Sequence, residues 1–269
     1  VMKNGVVLCE GVGVKSLLYE EEKFTLGFSN GMSKRFDRVC VATGSMKSSS
    51  LTRSLETLGH TIEPLAPSLF AFDIKDERLT ELAGIAVKNA SVRIPQKGKT
   101  QTGPVLITHR GLSGPAILKL SAWEARQCNE LNYEFQIELN WLGDRKESDL
   151  KNIFSRYRNQ HGQQFIRKKV FESLPKRLWE KILKHLKINE SMQWAQLPKK
   201  IEAQLIRELI SARFQVSGKT MNKEEFVTCG GVNLKEVNFK KMESRIIPNL
   251  FFAGECLDYD GITGGFIFQ

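Results

Sequence analysis

No G-x-G-x-x-G run occurs anywhere in this chain of 269 residues, and Gly11-Val12-Gly13 lacks the third glycine. The tight turn that lays a pyrophosphate on a helix N-terminus is therefore absent from these residues. Two near-matches to the end of a P-loop, Gly98-Lys99-Thr100 and Gly218-Lys219-Thr220, fail as well. The position five before each glycine is arginine, Arg93 and Arg213, which excludes a nucleoside triphosphate site there. No apolar stretch approaches the roughly 20 residues that cross a bilayer, and Val1 to Leu8 is too short for a signal peptide and carries no cleavage pattern. The five cysteines, Cys9, Cys40, Cys128, Cys229 and Cys256, are odd in number, widely spaced and without a C-x-x-C pair. That argues against a disulfide framework and a zinc site, and for reduced thiols in a cytosol-like compartment. The expected location is cytoplasmic, with an organelle left open should a targeting segment precede Val1.

What is present reads as a globular protein of two or three structural units, 41% hydrophobic and 26% charged. The net charge of +10 is localised: Arg145 to Arg213 holds 17 Lys+Arg against 7 Asp+Glu, and the rest of the chain balances at 23 against 23. That segment has helical periodicity, with stripes Leu150/Ile153/Phe154/Tyr157, Leu178/Ile182/Leu183/Leu186 and Ile201/Leu205/Leu209/Ile210. Before it, short strand-like runs dominate. Val12–Tyr19, Phe24–Phe28 and Met32–Phe36 predict a β-meander with Asn30-Gly31 as a hairpin turn. Arg38–Ala42 predicts a buried strand and Leu51–Gly59 a short amphipathic helix ending in glycine. Ser68–Ile74, Ile85–Ile94, Val105–Thr108 and Tyr133–Leu139 predict strands of a small barrel or sandwich, interrupted by a helix over Pro115–Gln127. Strand character returns at Phe214–Val216 and Phe226–Thr228.

Three glycine-bearing segments follow predicted strands and point to ligand contact. Val39–Ser45 ends in Thr43-Gly44-Ser45; Phe226–Val232 contains Thr228-Cys229-Gly230-Gly231; Leu250–Ala253 runs into Gly254-Glu255. Glycine permits close backbone approach, and a carboxylate after it can accept hydrogen bonds from ligand hydroxyls. Each segment also has a purely structural reading as a turn or bulge. Cys229 and Cys256 flank these glycines, so a redox role can be weighed against simple packing, which is the commoner fate of such thiols. In Thr108-His109-Arg110-Gly111-Leu112-Ser113-Gly114-Pro115, His109 is a candidate proton shuttle and Arg110 a candidate anion holder, with Ser113 placed to cap a helix begun by Pro115.

These segments, with Leu58–Ile62, Pro67–Phe70 and Ile107–Ile117, occur in an order that resembles the two-domain FAD-binding flavoproteins of the NAD(P)/FAD-dependent oxidoreductase family, bile-acid-reductase/aminoacetone-oxidase type. The resemblance covers most of the chain. It implies an α/β fold: a partial Rossmann-like FAD/NAD(P)-binding domain with an inserted β-barrel and a helical module. The implied segments are 1–63 and 214–269 for the FAD-binding domain, 64–144 for the barrel and 145–213 for the basic helices. It implies cofactor contacts at Thr43, Gly44, Ser45, Thr228, Gly230, Gly231, Gly254, Glu255, Leu257, Asp258, Gly264, Gly265, Phe266 and Ile267, and a catalytic role for His109. Family members usually carry asparagine where this chain has Ile267. The implied activity is FAD-dependent hydride transfer from NAD(P)H to a small unsaturated or carbonyl-containing substrate. The family's opening strand, glycine-rich turn and helix have no counterpart here, so the chain reads as a fragment of a longer product or as a degenerate member. Two alternatives stand beside this reading: a non-enzymatic flavin-fold protein, and a nucleic-acid or acidic-partner surface on the basic helices. The second is disfavoured because interleaved aromatics are not evident in the sequence.

Overall fold

The computed structural model describes residues 5–47, 49–95, 98–220, 227–259 and 261. The chain is mixed α/β and divides into two compact units, residues 1–67 with 227–269, and residues 68–226.

The first unit opens with the meander β1 (Val14–Glu20), β2 (Lys23–Phe28) and β3 (Ser33–Phe36), paired antiparallel in sequence order. The strands start and stop close to where alternation and the Asn30-Gly31 turn place them. β4 (Val39–Val41), α1 (Ser49–Thr57) and β5 (Ile62–Ser68) follow. β4 is less buried than its apolar sequence suggests: Val41 is buried but Cys40 is exposed. Among the described residues β4 is the last strand of its sheet and pairs with β16 alone.

The second unit contains β6 (Ala71–Asp73), β7 (Ala86–Arg93), β8 (Gln101–Ile107) and β9 (Gly111–Ser113), then α2 (Pro115–Trp123) and α3 (Ala125–Glu130). The single helix expected over Pro115–Gln127 is two, broken at Glu124. β10 (Glu134–Asn140) leads into α4 (Glu147–His161), α5 (Lys176–His185) and α6 (Lys199–Ile210), and the unit ends with β11 (Ala212–Ser217) and β12 (Lys219–Thr220). Its sheet has the order β11-β10-β7-β8-β9-β6-β12. β11 and β12 sit at opposite ends of that order yet are separated in sequence by Gly218 alone. One bent strand therefore joins both ends of the row, and the sheet closes on itself as a barrel. The Gly218 carbonyl accepts from Asp73 N–H at 3.0 Å at that closure.

The helical stripes face the core as the periodicity predicts. Leu150, Phe154, Leu178, Ile182, Leu183, Leu205 and Leu209 are buried, with Ile153, Tyr157, Leu186, Ile201 and Ile210 packed at the margin. Trp179 and Trp194 fill the space between these helices. The basic residues take the opposite faces.

The chain then returns to the first unit through β13 (Val227–Val232), β14 (Val237–Asn238), β15 (Glu243–Ser244) and β16 (Leu250–Phe252). β13 pairs with β5, and a four-stranded sheet has the order β14-β15-β16-β4, its last pair parallel. A buried polar staple holds this return to the early part of the chain. Ser244 Oγ accepts N–H from Ile246 and Ile247, so its own hydrogen goes to His60 Nε2 at 3.0 Å. His60 Nδ1 then donates to Glu236 at 3.0 Å, and Glu236 also accepts Thr61 N–H. His60 is 3% exposed and Ser244 is 7% exposed, so the arrangement ties strands together rather than presenting a nucleophile.

Burial opposes ionisation of Glu236, but the hydrogen bonds from Thr61 and His60 outweigh it and hold the carboxyl below its ordinary value of 4.5. A carboxyl depressed in the folded state stabilises the fold above its unfolded pKa, and this contribution is lost as pH falls through the folded value. His60→Ala is expected to cost about 3 kcal/mol, because it leaves buried partners unsatisfied. Urea denaturation should also show stability declining from about pH 5 downward, with a shallower decline in Glu236→Gln. Identical slopes in the two proteins would remove Glu236 from the account.

Candidate functional site

The C-terminal edge of the parallel pair β4–β16 gathers the early and late segments. The ladder continues one step past the strands, with Ala253 N–H donating to Val41 O at 2.9 Å, and then the two chains part. Ala42, Thr43 and Ala253 are exposed at this edge. Such an edge is where open α/β sheets present backbone to ligands.

Gly254–Cys256 forms a single tight turn that swings Glu255 inward, where it is 7% exposed. Its Oε1 accepts Thr228 N–H at 2.9 Å and the Thr228 hydroxyl at 3.2 Å. Since Thr228 has one hydroxyl hydrogen and gives it to Glu255, the 2.5 Å contact between Ser45 Oγ and Thr228 Oγ1 has Ser45 as donor. Ser45, Thr228 and Glu255, 183 and 27 residues apart in sequence, thus form one relay. Gly44 closes it: a Cβ there would lie 3.8 Å from Glu255 Oε2. Sequence reasoning named each of these residues as a separate ligand contact and missed that they bind one another.

Gly230 and Gly231 were expected to leave backbone exposed, and both are buried. A Cβ at Gly230 would fall 2.3 Å from Pro64 O, and one at Gly231 2.4 Å from Cys256 O. Close backbone packing accounts for both glycines. Leu257 forms a parallel bridge with Val232, and Asp258 N–H donates to Val232 O at 2.9 Å, which fixes the segment after the turn. Gly264, Gly265, Phe266 and Ile267 lie outside the described residues.

The thiol of Cys256 is pushed up to about 11, chiefly by burial, and its one hydrogen is shared between Val41 O and Ala253 O. A thiol held protonated and hydrogen-bonded is a packing group rather than a nucleophile.

His109 belongs to the other unit. Thr108 Oγ1 accepts N–H from Arg110 and Gly111 at 3.3 and 3.1 Å, folding Thr108–Gly111 into a tight turn between β8 and β9 with His109 exposed at its tip. Arg110 is paired with Asp73 at 2.5 Å, so its charge is already answered within the protein. The turn borders an open cavity of about 1060 Å³, to which Lys75, Asp76, Thr80 and Ser217 also contribute. Of the cavity's acids, Asp76 is paired with Arg78 and Glu81 with Lys181, while Glu77 is hydrogen-bonded to His185. Among the described residues, Lys75 and His109 make no ion pair. Ser113 does not cap α2 as its position suggested: it is the last residue of β9, and Gly114 occupies the cap without a side-chain bond. Pro115 does open the helix.

Residues 66–227 match the family model described as HI0933-like protein barrel and H2TH domain. Over 266 residues the chain is 34% identical to a ribosomal RNA dihydrouridine synthase of Escherichia coli, covering 95% of this chain and 63% of that protein. It is 28% identical to a ribosomal RNA dihydrouridine synthase of Haemophilus influenzae, covering 97% of this chain and 67% of the relative. It is 25% identical to a 3-dehydro-bile acid delta(4,6)-reductase of Clostridium scindens, covering 99% and 67%. The motif resemblance therefore pointed to the more distant of these relatives and did not name the dihydrouridine synthases.

Proposed function

Because the chain belongs to the HI0933-like barrel and H2TH-domain family, we propose that it works in an FAD-dependent reductase that uses NAD(P)H to add two hydrogens across a carbon–carbon double bond conjugated to a carbonyl. The substrate we assign is uridine within ribosomal RNA. The observation that carries this reading is the 34% identity over 95% of the chain to a protein named for that product. The names of the relatives describe one chemistry on two scaffolds. Dihydrouridine is uridine reduced at the double bond conjugated to its C4 carbonyl, and a 3-dehydro delta(4,6) bile acid presents a dienone. The reaction balances as uridine, NAD(P)H and one proton giving dihydrouridine and NAD(P)⁺.

The residues at the β4–β16 edge suit the cofactor: exposed backbone at Ala42, Thr43 and Ala253 stands beside a turn locked by the Ser45–Thr228–Glu255 relay. Thr43, Gly44, Ser45 and Gly254 are the residues we assign to hold it, with Glu255 keeping that backbone in place through Thr228. When bound, FAD supplies the hydride chemistry. Reduction of a conjugated double bond also needs a proton at the carbon next to the carbonyl. We assign its delivery to His109, whose ring is exposed and makes no hydrogen bond among the described residues. Imidazole as a class exchanges protons near neutrality.

The test is dihydrouridine mapping by mass spectrometry in ribosomal RNA from cells lacking this gene, before and after incubation with the full-length protein and NAD(P)H. Appearance of dihydrouridine at one or a few positions is the expected result. His109→Gln should lower that rate by about 100-fold or more while bound flavin is retained, the range for loss of a positioned proton donor. A second reading, reduction of a small enone, is favoured by the bile-acid reductase relative. It takes over if NAD(P)H is consumed with a steroidal dienone and no uridine is reduced.

A further inference from the structure

The geometry points to a single-stranded RNA docking surface on the second unit, built around Phe165, Arg167 and Lys168 at the junction of the three basic helices. The position is rigid. Phe165 forms an isolated antiparallel bridge with Gln193, Ile166 N–H donates to Met192 O at 2.8 Å, and Trp194 N–H donates to Gln164 O at 3.0 Å. Trp194, next to Gln193, is in ring contact with both Phe154 and Tyr157. Phe165 itself is left 44% exposed. The Arg167 guanidinium lies over its ring at 5.5 Å from the centroid.

The helices carry ion pairs of their own, Glu147 with Lys151, Glu180 with Lys176 and Glu202 with Arg158, and Glu208 pairs with Arg78; Arg167 and Lys168, in the connection between α4 and α5, make no ion pair among the described residues. An exposed ring paired with a guanidinium plane and flanked by an unanswered ammonium is the combination that stacks an unpaired base and holds its phosphate. A duplex, whose bases are already stacked, offers such a ring little. A lipid surface would call for a broader apolar face than one ring, and an acidic polypeptide would use the charge but not the ring. The sequence hid this surface because Phe165 is one aromatic among many basic residues, and its exposure follows only from the bridge to Gln193.

The choice of RNA among polyanions rests on the proposed reductase function, so binding is measured without NAD(P)H. Full-length, flavin-loaded protein would be titrated with a fluorescent single-stranded RNA and with a duplex of equal length, across a range of salt concentrations. The expected result is preference for the single strand and a loss of about 5- to 100-fold in Phe165→Ala, recovered in Phe165→Tyr. Arg167→Glu with Lys168→Glu should reduce the log–log salt slope by about 1.4, two phosphate contacts on a single strand. Lys240→Glu with Lys241→Glu, an equal charge change in the first unit, serves as the control and should leave binding unchanged. The proposal is overturned if Phe165→Ala binds like the parent, if the duplex binds as tightly as the single strand, or if the control pair loses as much as the Arg167/Lys168 pair. Binding without uridine reduction would instead sink the functional reading and leave this surface standing.

Discussion

Glu255→Ala is expected to strip the full-length protein of flavin and to cost about 2–4 kcal/mol of stability, the range for orphaning a buried donor pair. The magnitude follows from the relay. Thr228 N–H and O–H both end on Glu255 Oε1, and Ser45 is in turn held by Thr228, so losing the carboxylate orphans the buried N–H and leaves the hydroxyl only Ser45 to turn to. Glu255→Gln separates the two effects. Its amide oxygen keeps the acceptor for Thr228, so stability should stay within about 1 kcal/mol of the parent. The change from carboxylate to amide beside Gly44 should still weaken flavin retention. Denaturant unfolding and flavin content measured on the same three proteins decide the matter; an alanine variant that stays both stable and yellow contradicts the site.

Gly231→Ala should be among the most damaging single substitutions in the chain, at more than about 3 kcal/mol. Its φ of +134° is one that L side chains rarely adopt, and an added Cβ would meet Cys256 O at 2.4 Å and Cys256 C at 2.9 Å. Both are backbone atoms, and the chain just after them is held to Val232 by the parallel bridge at Leu257 and by Asp258 N–H. Gly31→Ala is the matched control. It also has positive φ, +82°, but nothing lies within 4 Å, so it should cost only about 1 kcal/mol. Equal losses for the two would show that backbone conformation, not contact with the Cys256 turn, sets the requirement at Gly231.

How much of this was legible in the sequence depends on the range of the interaction. The meander, the helical stripes and the strands of the second unit rest on local periodicity, and Leu150 through Leu209 face inward as their spacing requires. Cys40 is exposed although its strand is apolar, because an apolar run does not say which of its two faces another element covers. Barrel closure at Gly218 was invisible because Lys219-Thr220 after it carries no strand pattern, and only the order of the sheet shows that this glycine joins both ends. The candidate site was legible as three segments far apart in sequence that should meet in space, but not in the bonds they make to one another. Thr228 and Glu255 each looked like ligand groups, since side chains with hydrogen-bonding capacity near glycines carry no sign of being satisfied by each other. Gly230 and Gly231 suggested exposure, and the same lack of a side chain serves instead to admit the Pro64 and Cys256 backbones. The His60–Glu236–Ser244 staple spans 184 residues and has no local signature.

The central claim is that the β4–β16 edge, locked by Glu255, belongs to a flavin site in a reductase. The most direct measurement is the visible spectrum of the purified full-length protein, before and after anaerobic addition of NAD(P)H. The account predicts an oxidised-flavin band near about 450 nm that bleaches with NAD(P)H, in the parent and not in Glu255→Ala. A colourless parent that takes up no added FAD, or an unaltered spectrum in Glu255→Ala, would contradict it.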